Sequence, residues 1–382
     1  MSIVLCLAGD AMLGRAVGSA LTSARPHVAF APEIKAAVAE ADLFVANLEC
    51  CITQSGTRWP STDKQFYFRA PPEAADALAQ LGVHCVTLAN NHVLDFGREA
   101  LHDTLRHLTE AGIRFVGAGP DLTSARAPVT LDAAGFRLAV VAVTDHPADY
   151  TATETDAGVA YADLSRGVPS WVIDTLAAAR TNADAVLLSP HWGPNLTMRP
   201  PRHVRSAAAT LGGHATLIAG HSAHVFHGVE GTVLYDIGDF INDYASAEGS
   251  RSLMRGALRK LRRELTGVTT DVAATLSRGR STPIDRTAGS FLQTQRWRLT
   301  NAMRMVRART LRSDLGLLFF VTMDQGGPQR LEALPIKLER CHTRLAVGED
   351  AAFVHRRFSA ACSGFGTAVS REGDRSVIVW GA

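Results

Sequence analysis

The sequence lacks any apolar run long enough to cross a bilayer, any CxxC pair, and any repeated or low-complexity segment. A membrane-spanning helix needs about 18 or more apolar residues in succession. The apolar run near the N-terminus is stopped by Gly9 and Asp10, and no basic segment precedes it. We therefore expect a core strand there and not a signal peptide.

Net charge is also small, at +2 over 382 residues, and by itself points to no class of partner. Six cysteines are present, and Cys6 and Cys85 fall inside predicted strands, where a thiol acts as a small apolar group. This usage favours a reduced, cytoplasmic protein over a secreted one. Cys50 and Cys51 follow Glu49 directly, and we interpret them as ordinary loop thiols and not as metal ligands.

What the chain does contain is an alternation of strand-like and helix-like runs from residue 2 to about residue 235. Such alternation is typical of an α/β sheet, and a hydrophobic content of 46% supplies a sizeable core. We expect residues 1–244 to form the main part of this core.

The composition changes after that region. Between residues 251 and 312 there are fifteen Arg or Lys residues and only three acidic ones. Within this stretch, residues 251–266 have apolar side chains on one helical face and arginines largely elsewhere. We predict a basic helical insertion at 245–313, and we expect a hairpin and a late helix in 314–382 to complete the core.

Five polar motifs each follow an apolar, strand-like run: GDAMLGR, ANLE, LANNHVLDFG, SPHWGPN and AGHSAHV. Ligands of open α/β sheets bind at the carboxyl ends of the strands. One crevice could therefore receive the polar side chains of these motifs, which are Asp10, Glu49, Asn91, His92, His191, His221 and His224. Carboxylates, an amide and imidazoles are suitable ligands for a divalent transition metal.

The order of these motifs resembles the CapA family of capsule-synthesis (poly-γ-glutamate synthesis) proteins, most specifically in GDAMLGR, NLE, NNHVLDFG and HWG. The resemblance covers residues 3–243 and resumes at about 314. It implies a calcineurin-like metallophosphoesterase fold, an α/β/β/α sandwich in which two sheets lie between helices. It also implies a site with two divalent ions, Mn, Fe or Zn.

The resemblance, together with the chemistry of the side chains, implies roles for single residues as well. The expected metal ligands are Asp10, Glu49, Asn91, His191, His221 and His224, with Glu49 bridging two ions. We expect His92 to act as a general acid and Asp95 to orient its ring, although a helix N-cap by Asn91 would explain part of the third motif. The expected substrate contacts are Arg15, Asn47 and Asn195.

Three positions depart from the family's pattern, and Met12, which is typical of the CapA-type GDxM motif, departs only from that of the wider superfamily. Met12 stands where the wider superfamily has a ligand histidine, and Asn195 stands where the family has an acid. Ser222 replaces one histidine of the last motif, which leaves two alternatives: either a ligand is lost, or His221 and His224 both reach the site. Asp239 stands where the family has Asn and could lie near the site as a substitute.

These observations lead to two hypotheses. The first is a metal-dependent hydrolase that acts on a phosphate ester or on an amide of a γ-glutamyl-type polymer in capsule or peptide-polymer biosynthesis. The second is a non-catalytic accessory protein that binds an anionic polymer or a synthase. We expect an anionic peptide or phosphate-bearing substrate and no nucleic acid. Residues 251–266 could contact a synthase or an anionic membrane surface peripherally, or pack on their own protein.

Overall fold

A computed structural model of the chain describes residues 2–23, 29–61, 64, 66–244 and 312–380. Its strands, in chain order, are β1 (Ser2–Ala11), β2 (Leu43–Leu48), β3 (Cys51–Ile52), β4 (Arg69–Ala70), β5 (Cys85–Thr87), β6 (Arg114–Val116), β7 (Ala118–Gly119), β8 (Val129–Ala133), β9 (Phe136–Thr144), β10 (Gly158–Val159), β11 (Ala185–His191), β12 (Leu217–Ala219), β13 (Val229–Glu230), β14 (Val233–Leu234), β15 (Asp239–Ile241), β16 (Leu315–Asp324), β17 (Gly327–Glu339), β18 (His342–Leu345), β19 (Ser370–Glu372) and β20 (Arg375–Val379).

The α-helices of the described residues are α1 (Arg15–Leu21), α2 (Pro32–Val38), α3 (Glu73–Leu81), α4 (Gly97–Glu110), α5 (Leu122–Arg126), α6 (Ser170–Thr181), α7 (Arg202–Leu211) and α8 (Gly348–Ser363). The helix α3 begins just after a Pro-Pro pair and ends at Gly82, whose φ of 88° gives the left-handed C-terminal cap that glycine favours. None of these helices is long and apolar enough to cross a membrane.

Two sheets form the centre of the fold. The first has ten strands, in the order β19-β20-β17-β16-β1-β2-β5-β6, with β15 beside β1 and β18 beside β17. Its strands β1, β2, β5 and β6 are parallel, whereas β16 and β17 form an antiparallel hairpin that pairs with β1. The second sheet has the order β13-β14-β12-β11-β9-β8, and β9, β11, β12 and β14 are parallel.

The sheets pack face to face, and the alternation of side chains along β9 demonstrates this. Leu138 and Val140 lie in one buried cluster with Leu5 and Val45 of the first sheet. Their neighbours Ala139 and Val141 lie in a second cluster with residues of α6 and α7. Successive side chains of a strand point to opposite faces, so the second sheet is covered by the first sheet on one face and by helices on the other.

This mixed arrangement of sheets and helices confirms the predicted metallophosphoesterase-like α/β fold class. Residues up to Asp243 and from Asp314 onward belong to one compact unit. The basic insertion predicted at 245–313 lies outside the described residues except for its last two positions. Its helix at 251–266 lies wholly outside them, so the insertion and the domain boundaries drawn around it stay predictions.

Candidate metal centre

The carboxyl ends of the parallel strands of both sheets contribute to one buried cluster. Asp10 lies near the end of β1, Glu49 follows β2, and His191 is the last residue of β11. A close backbone approach helps to form the site, because a Cβ on Gly9 would lie only 1.8 Å from the carbonyl oxygen of Gly238. Glycine at position 9 thus allows the chain before β15 to lie against β1.

Asp10 is fully buried and is held from three directions. Its Oδ1 accepts a hydrogen bond from Asn47 Nδ2 at 2.8 Å and lies 2.9 Å from His221 Nδ1. Its Oδ2 lies 3.1 Å from His224 Nδ1. Burial alone would raise the pKa of Asp10, but the hydrogen bonds and charges of His221 and His224 lower it well below its usual value. Asp10 is therefore a carboxylate with a fixed orientation.

His224 brings one ring nitrogen close to three carboxylates. Its Nδ1 lies 2.9 Å from Asp239 Oδ1, 3.1 Å from Asp10 Oδ2 and 3.7 Å from Glu49 Oε2. Burial would lower the pKa of His224, but the charges of Glu49 and Asp239 raise it well above its usual value. One imidazole nitrogen carries at most one proton, so it cannot donate to three carboxylates. A divalent cation would compensate this crowding of charge.

The loop that carries His224 has an uncommon backbone. Both Ser222 and His224 have positive φ angles, of 102° and 59°. The loop is held in place by Asp236, whose Oδ2 accepts from the backbone N–H of Ala223 at 2.7 Å and whose Oδ1 accepts from Gly238 N–H at 2.8 Å. Non-glycine residues with this conformation are uncommon and cluster at functional sites.

Glu49 has no hydrogen-bond partner for either carboxylate oxygen among the described residues, although it is fully buried. Burial raises its pKa well above the usual value. Its Oε2 faces His224, and its Oε1 lies 3.9 Å from both His92 Nε2 and His191 Nε2. The two oxygens thus face two different groups of ligands, as a bridging carboxylate requires.

His191 and Asn91 supply further buried polar atoms. Among the described residues, neither ring nitrogen of His191 has a hydrogen-bond partner, and the same holds for the side-chain oxygen of Asn91. Burial lowers the pKa of His191 well below its usual value. A neutral imidazole is the form that binds metal, and a buried polar atom without a partner is costly. These atoms fit a metal centre.

The Asp10, Glu49 and His224 side chains meet the distance requirement for a shared ion, since one ligand atom from each lies within 4.8 Å of the others. The chain therefore has a candidate metal-binding triad. Five of the six predicted ligands lie in the same cluster, with ring nitrogens and carboxylate oxygens 2.9–3.9 Å apart, namely Asp10, Glu49, His191, His221 and His224.

His92 lies beside this cluster with its ring fixed by Asp95. The Nδ1 atom is 2.7 Å from Asp95 Oδ2, while Nε2 faces Glu49. Burial lowers the pKa of His92 to about 4, so its ring is neutral at pH 7. Asn90 caps the turn by accepting from the backbone N–H groups of His92 and Val93 at 3.0 and 3.1 Å. The capping residue is therefore Asn90, and the side-chain oxygen of the neighbouring Asn91 has no hydrogen-bond partner within the described part of the chain.

The three predicted substrate contacts have different surroundings. Arg15 is partly exposed, pairs with Asp243 at 3.0 Å and lies over the ring of Phe68. Asn47 is buried and its amide is engaged with Asp10 and Thr87. That burial disfavours substrate contact, because the side chain instead orients a candidate ligand. Asn195 is exposed, and among the described residues no hydrogen bond or ion pair joins it to the cluster.

The departures in the last motif have a structural explanation. Ser222 is fully buried and its hydroxyl donates to the backbone oxygen of Gly193 at 2.7 Å. His221 and His224 both reach Asp10, which is the arrangement that the second of the two alternatives requires. Asp239 adds a carboxylate beside His224.

Two sulfur-bearing residues that are close to candidate ligands in the sequence are buried. Met12 is buried within the core. Burial raises the pKa of Cys50 to about 12, so this thiol keeps its proton at neutral pH. The interpretation of Cys50 as an ordinary thiol is consistent with this environment.

Some residues near the site were missed by the sequence reasoning. Lys64 pairs with Asp95 at 2.8 Å, and no local pattern indicated it. Asp145 and His146 hydrogen-bond to each other, and the ring of His146 lies 5.4 Å from that of His191. They follow the carboxyl end of β9 directly, so the signal used for the five motifs could have found them.

Comparisons with known proteins agree with the motifs. A family model described as bacterial capsule synthesis protein PGA_cap matches residues 4–244. The chain is 28% identical over 255 residues to the capsule biosynthesis protein CapA of Bacillus anthracis, which covers 63% of this chain and 60% of that protein. It is 32% identical over 236 residues to a probable polyglutamine synthesis accessory protein of Mycobacterium tuberculosis, which covers 58% and 60% respectively.

The chain thus spans about 60% of the length of the curated relatives that it matches. A crystal structure of a hypothetical protein from Thermus thermophilus aligns over 90% of this chain and 96% of that one, with 18% identity and a TM-score of 0.37, too low to support an argument. The family model covers well over half of the residues, and the predicted resemblance is confirmed. The chain belongs to the bacterial capsule synthesis protein family PGA_cap.

Proposed function

We propose that the chain is a metal-dependent hydrolase. The observation that carries this proposal is the buried Glu49 carboxylate, whose two oxygens have no hydrogen-bond partner among the described residues and face two groups of candidate ligands. A buried carboxylate without hydrogen bonds is strongly unfavourable unless a cation compensates it.

The residues divide into two candidate ion sites that share Glu49. Asp10, His224 and Asp239 surround its Oε2 side, with His221 against Asp10. His191 faces its Oε1 side. The buried Asn91 side-chain oxygen, which lacks a hydrogen-bond partner among the described residues, is the remaining candidate ligand. This donor set of nitrogen and oxygen atoms suits Mn, Fe or Zn. Divalent ions bound there would supply an activated water and polarise the group under attack.

The remaining chemistry belongs to the chain itself. His92 is neutral at pH 7 and its Nε2 faces the cluster, so this atom can take up a proton and then pass it to a leaving group. Asp95 holds the ring in place through Nδ1. Arg15, partly exposed over Phe68, would bind an anionic part of the substrate through its guanidinium.

Two substrate classes fit these residues: a phosphate ester, and an amide of a γ-glutamyl-type peptide or polymer. Both have an electrophilic centre next to oxygen atoms that a cation can polarise, and both carry negative charge for Arg15 to bind. The names of the relatives favour a place in capsule or peptide-polymer biosynthesis.

The first test is metal analysis combined with hydrolysis. Protein purified with supplemented Mn or Zn should hold about two ions per chain, as a two-metal site requires, and should hydrolyse a p-nitrophenyl phosphate ester or a γ-glutamyl anilide. His92→Asn should lower turnover by roughly 10²–10⁴-fold with metal content unchanged.

His355→Asn is a matched control, because His355 lies on α8, outside the cluster, and is hydrogen-bonded to Ser376. His355→Asn should leave both the metal content and the turnover unchanged. Equal loss of metal and turnover in His92→Asn would make His92 a ligand. An unchanged turnover would remove it from the mechanism.

A non-catalytic accessory role is the second candidate, and the name of the mycobacterial relative, a polyglutamine synthesis accessory protein, favours it. The exposed Asn195 replaces an acid of the family's pattern, and the buried Met12 replaces a ligand histidine of the wider superfamily, so the site has fewer potential substrate contacts and ligands. Absence of bound metal after supplemented purification, together with binding of polyglutamate, would support this role and oppose the hydrolase.

We also propose a partner for the basic stretch, residues 251–266, which lies outside the described residues. Its candidate partners are an anionic membrane surface and a synthase. Deleting residues 248–312 with a short linker should preserve metal content and weaken binding to anionic vesicles, and binding by the intact chain should fall with salt. Salt-independent binding, or equal binding by both proteins, would contradict this proposal.

A further inference from the structure

Lys64 lies between β3 and β4 and reaches the turn that carries His92. Its Nζ lies 2.8 Å from Asp95 Oδ1 and donates a hydrogen bond to the backbone oxygen of Asn91. The ammonium group also lies 5.9 Å from the centre of the Tyr67 ring and 5.3 Å from that of Tyr150. Its side chain is only 14% exposed. One largely buried cation thus joins two positions of the third motif, Asn91 and Asp95.

Asp95 receives four hydrogen-bond partners while fully buried. Its Oδ1 is approached by Lys64 and by the Tyr150 hydroxyl at 3.1 Å. Its Oδ2 accepts from the backbone N–H of Phe68 at 2.6 Å and lies 2.7 Å from His92 Nδ1. Burial, followed by the charge of Asp95, raises the pKa of Tyr150, so its hydroxyl keeps its proton and donates.

An ionised carboxylate accepts hydrogen bonds and donates none. With a lysine ammonium, a phenol and a backbone N–H all donating to Asp95, the His92 Nδ1 atom must also carry a hydrogen. The neutral ring then has its lone pair on Nε2, on the side that faces Glu49.

We propose that Lys64 is a positioning residue that keeps Asp95 a pure hydrogen-bond acceptor and thereby fixes the proton of His92 on Nδ1. The expected effect of Lys64 on turnover rests on the proposed hydrolase function. The expected tautomer of His92 does not depend on that function. Lys64 acts through Asp95 and through the Asn91 carbonyl, and it does not contact the substrate.

The competing explanation is that Lys64 only anchors its own loop through the Tyr67 and Tyr150 rings. In that case the ring of His92 would keep the same tautomer without the ammonium, because Phe68 and Tyr150 would still donate to Asp95. The tautomer of His92 therefore separates the two explanations, whereas stability does not.

Lys64→Met removes the charge and retains most of the side-chain volume. Lys337→Met is the matched control, because Lys337 pairs with Asp350 at 2.6 Å and is 23% exposed, but lies on β17. The measurement is the pair of imidazole ¹⁵N shifts of His92, recorded in metal-free and Zn-loaded protein. The resonance is assigned by its loss in His92→Asn.

The unaltered protein and Lys337→Met should both have a single tautomer with hydrogen on Nδ1. Lys64→Met should have mixed tautomers or hydrogen on Nε2. Turnover by Lys64→Met should fall by about 10–100-fold, the usual cost of losing a group that supports a site residue, mainly in kcat and with little change in KM. Lys337→Met should keep the original turnover.

An unchanged His92 tautomer in Lys64→Met would overturn the proposal, whatever the kinetics. If the unaltered protein hydrolyses nothing, the proposed function fails and the tautomer still decides the role of Lys64. If Lys64→Met does not fold, Lys64→Gln and Tyr150→Phe replace it, since each weakens donation to the same oxygen of Asp95. A fixed tautomer in both would refute the proposal.

Discussion

Replacing Glu49 by Gln should stabilise the metal-free protein and destabilise the metal-loaded protein relative to the unaltered chain. The Glu49 carboxylate is buried and lacks hydrogen-bond partners among the described residues. It also lies near two other carboxylates, since Asp10 and Asp239 both contribute to raising its pKa. Without a cation this charge is unfavourable, and with one it becomes a ligand.

The sign of the pH dependence follows from the direction of the pKa shift. Burial raises the pKa of Glu49 in the folded protein above its unfolded value of about 4.3. The folded state therefore binds this proton more tightly, and the destabilisation grows as the pH rises through the unfolded pKa and is complete above the folded pKa. Glu49→Gln should raise the metal-free stability at about pH 8, and the difference should vanish towards about pH 4.

The expected size is that of an unsatisfied buried polar group, about 1–3 kcal/mol. This corresponds to a rise in Tm of a few degrees, at roughly 2–4 °C per kcal/mol for chains of about 150–250 residues. A metal ion present at about 100 times its Kd should stabilise the unaltered protein by about 2.7 kcal/mol. Glu49→Gln should gain much less, so the order of the two melting temperatures should invert.

The assay is thermal unfolding of both proteins in EDTA and in excess Mn or Zn. Glu332→Gln is the matched control, because Glu332 bonds to Arg330 and Arg375 at 2.9 and 2.7 Å. Burial acts to raise its pKa, but these two arginines lower it overall, so its removal should cost up to about 1 kcal/mol at neutral pH with the metal response intact. A Glu49→Gln protein that is less stable in EDTA and keeps the full metal shift would refute the reasoning.

Two further predictions concern Ser222 and the thiols. Ser222→His should lower stability and weaken metal binding, because Ser222 is fully buried at a φ of 102° and donates a hydrogen bond to the Gly193 backbone oxygen. Ser222→Ala should lose only that hydrogen bond. Tighter metal binding by Ser222→His in a titration would restore the missing-ligand explanation. In the native protein at mildly alkaline pH a thiol reagent should label Cys341 first, because the other five cysteines are buried. Burial raises the pKa of Cys85, for example, to about 12. Rapid labelling of Cys85, detected by mass spectrometry, would contradict the buried arrangement.

Local sequence determined the strands that carry the site. Asp10, Glu49 and His191 each end an apolar run, and parallel strands place their carboxyl ends at one edge of a sheet. The helix α3 was equally predictable from its Pro start and from Gly82. These features depend on residues adjacent in the chain, so pattern and spacing sufficed.

The tertiary structure decided which polar residues meet across long separations. Three close pairs join different loops. They are Asp239 with His224, Lys64 with Asp95, and His146 with His191. Two of the pairs, Asp239 with His224 and Lys64 with Asp95, are ion pairs whose partners no short pattern specifies.

The partner of β1 was decided in the same way. The hairpin of β16 and β17 could be predicted as a hairpin, but its antiparallel pairing with β1 depends on register between segments at opposite ends of the chain. Amino-acid periodicity defines which face of a strand is apolar, and only the assembled core selects the neighbour that buries it.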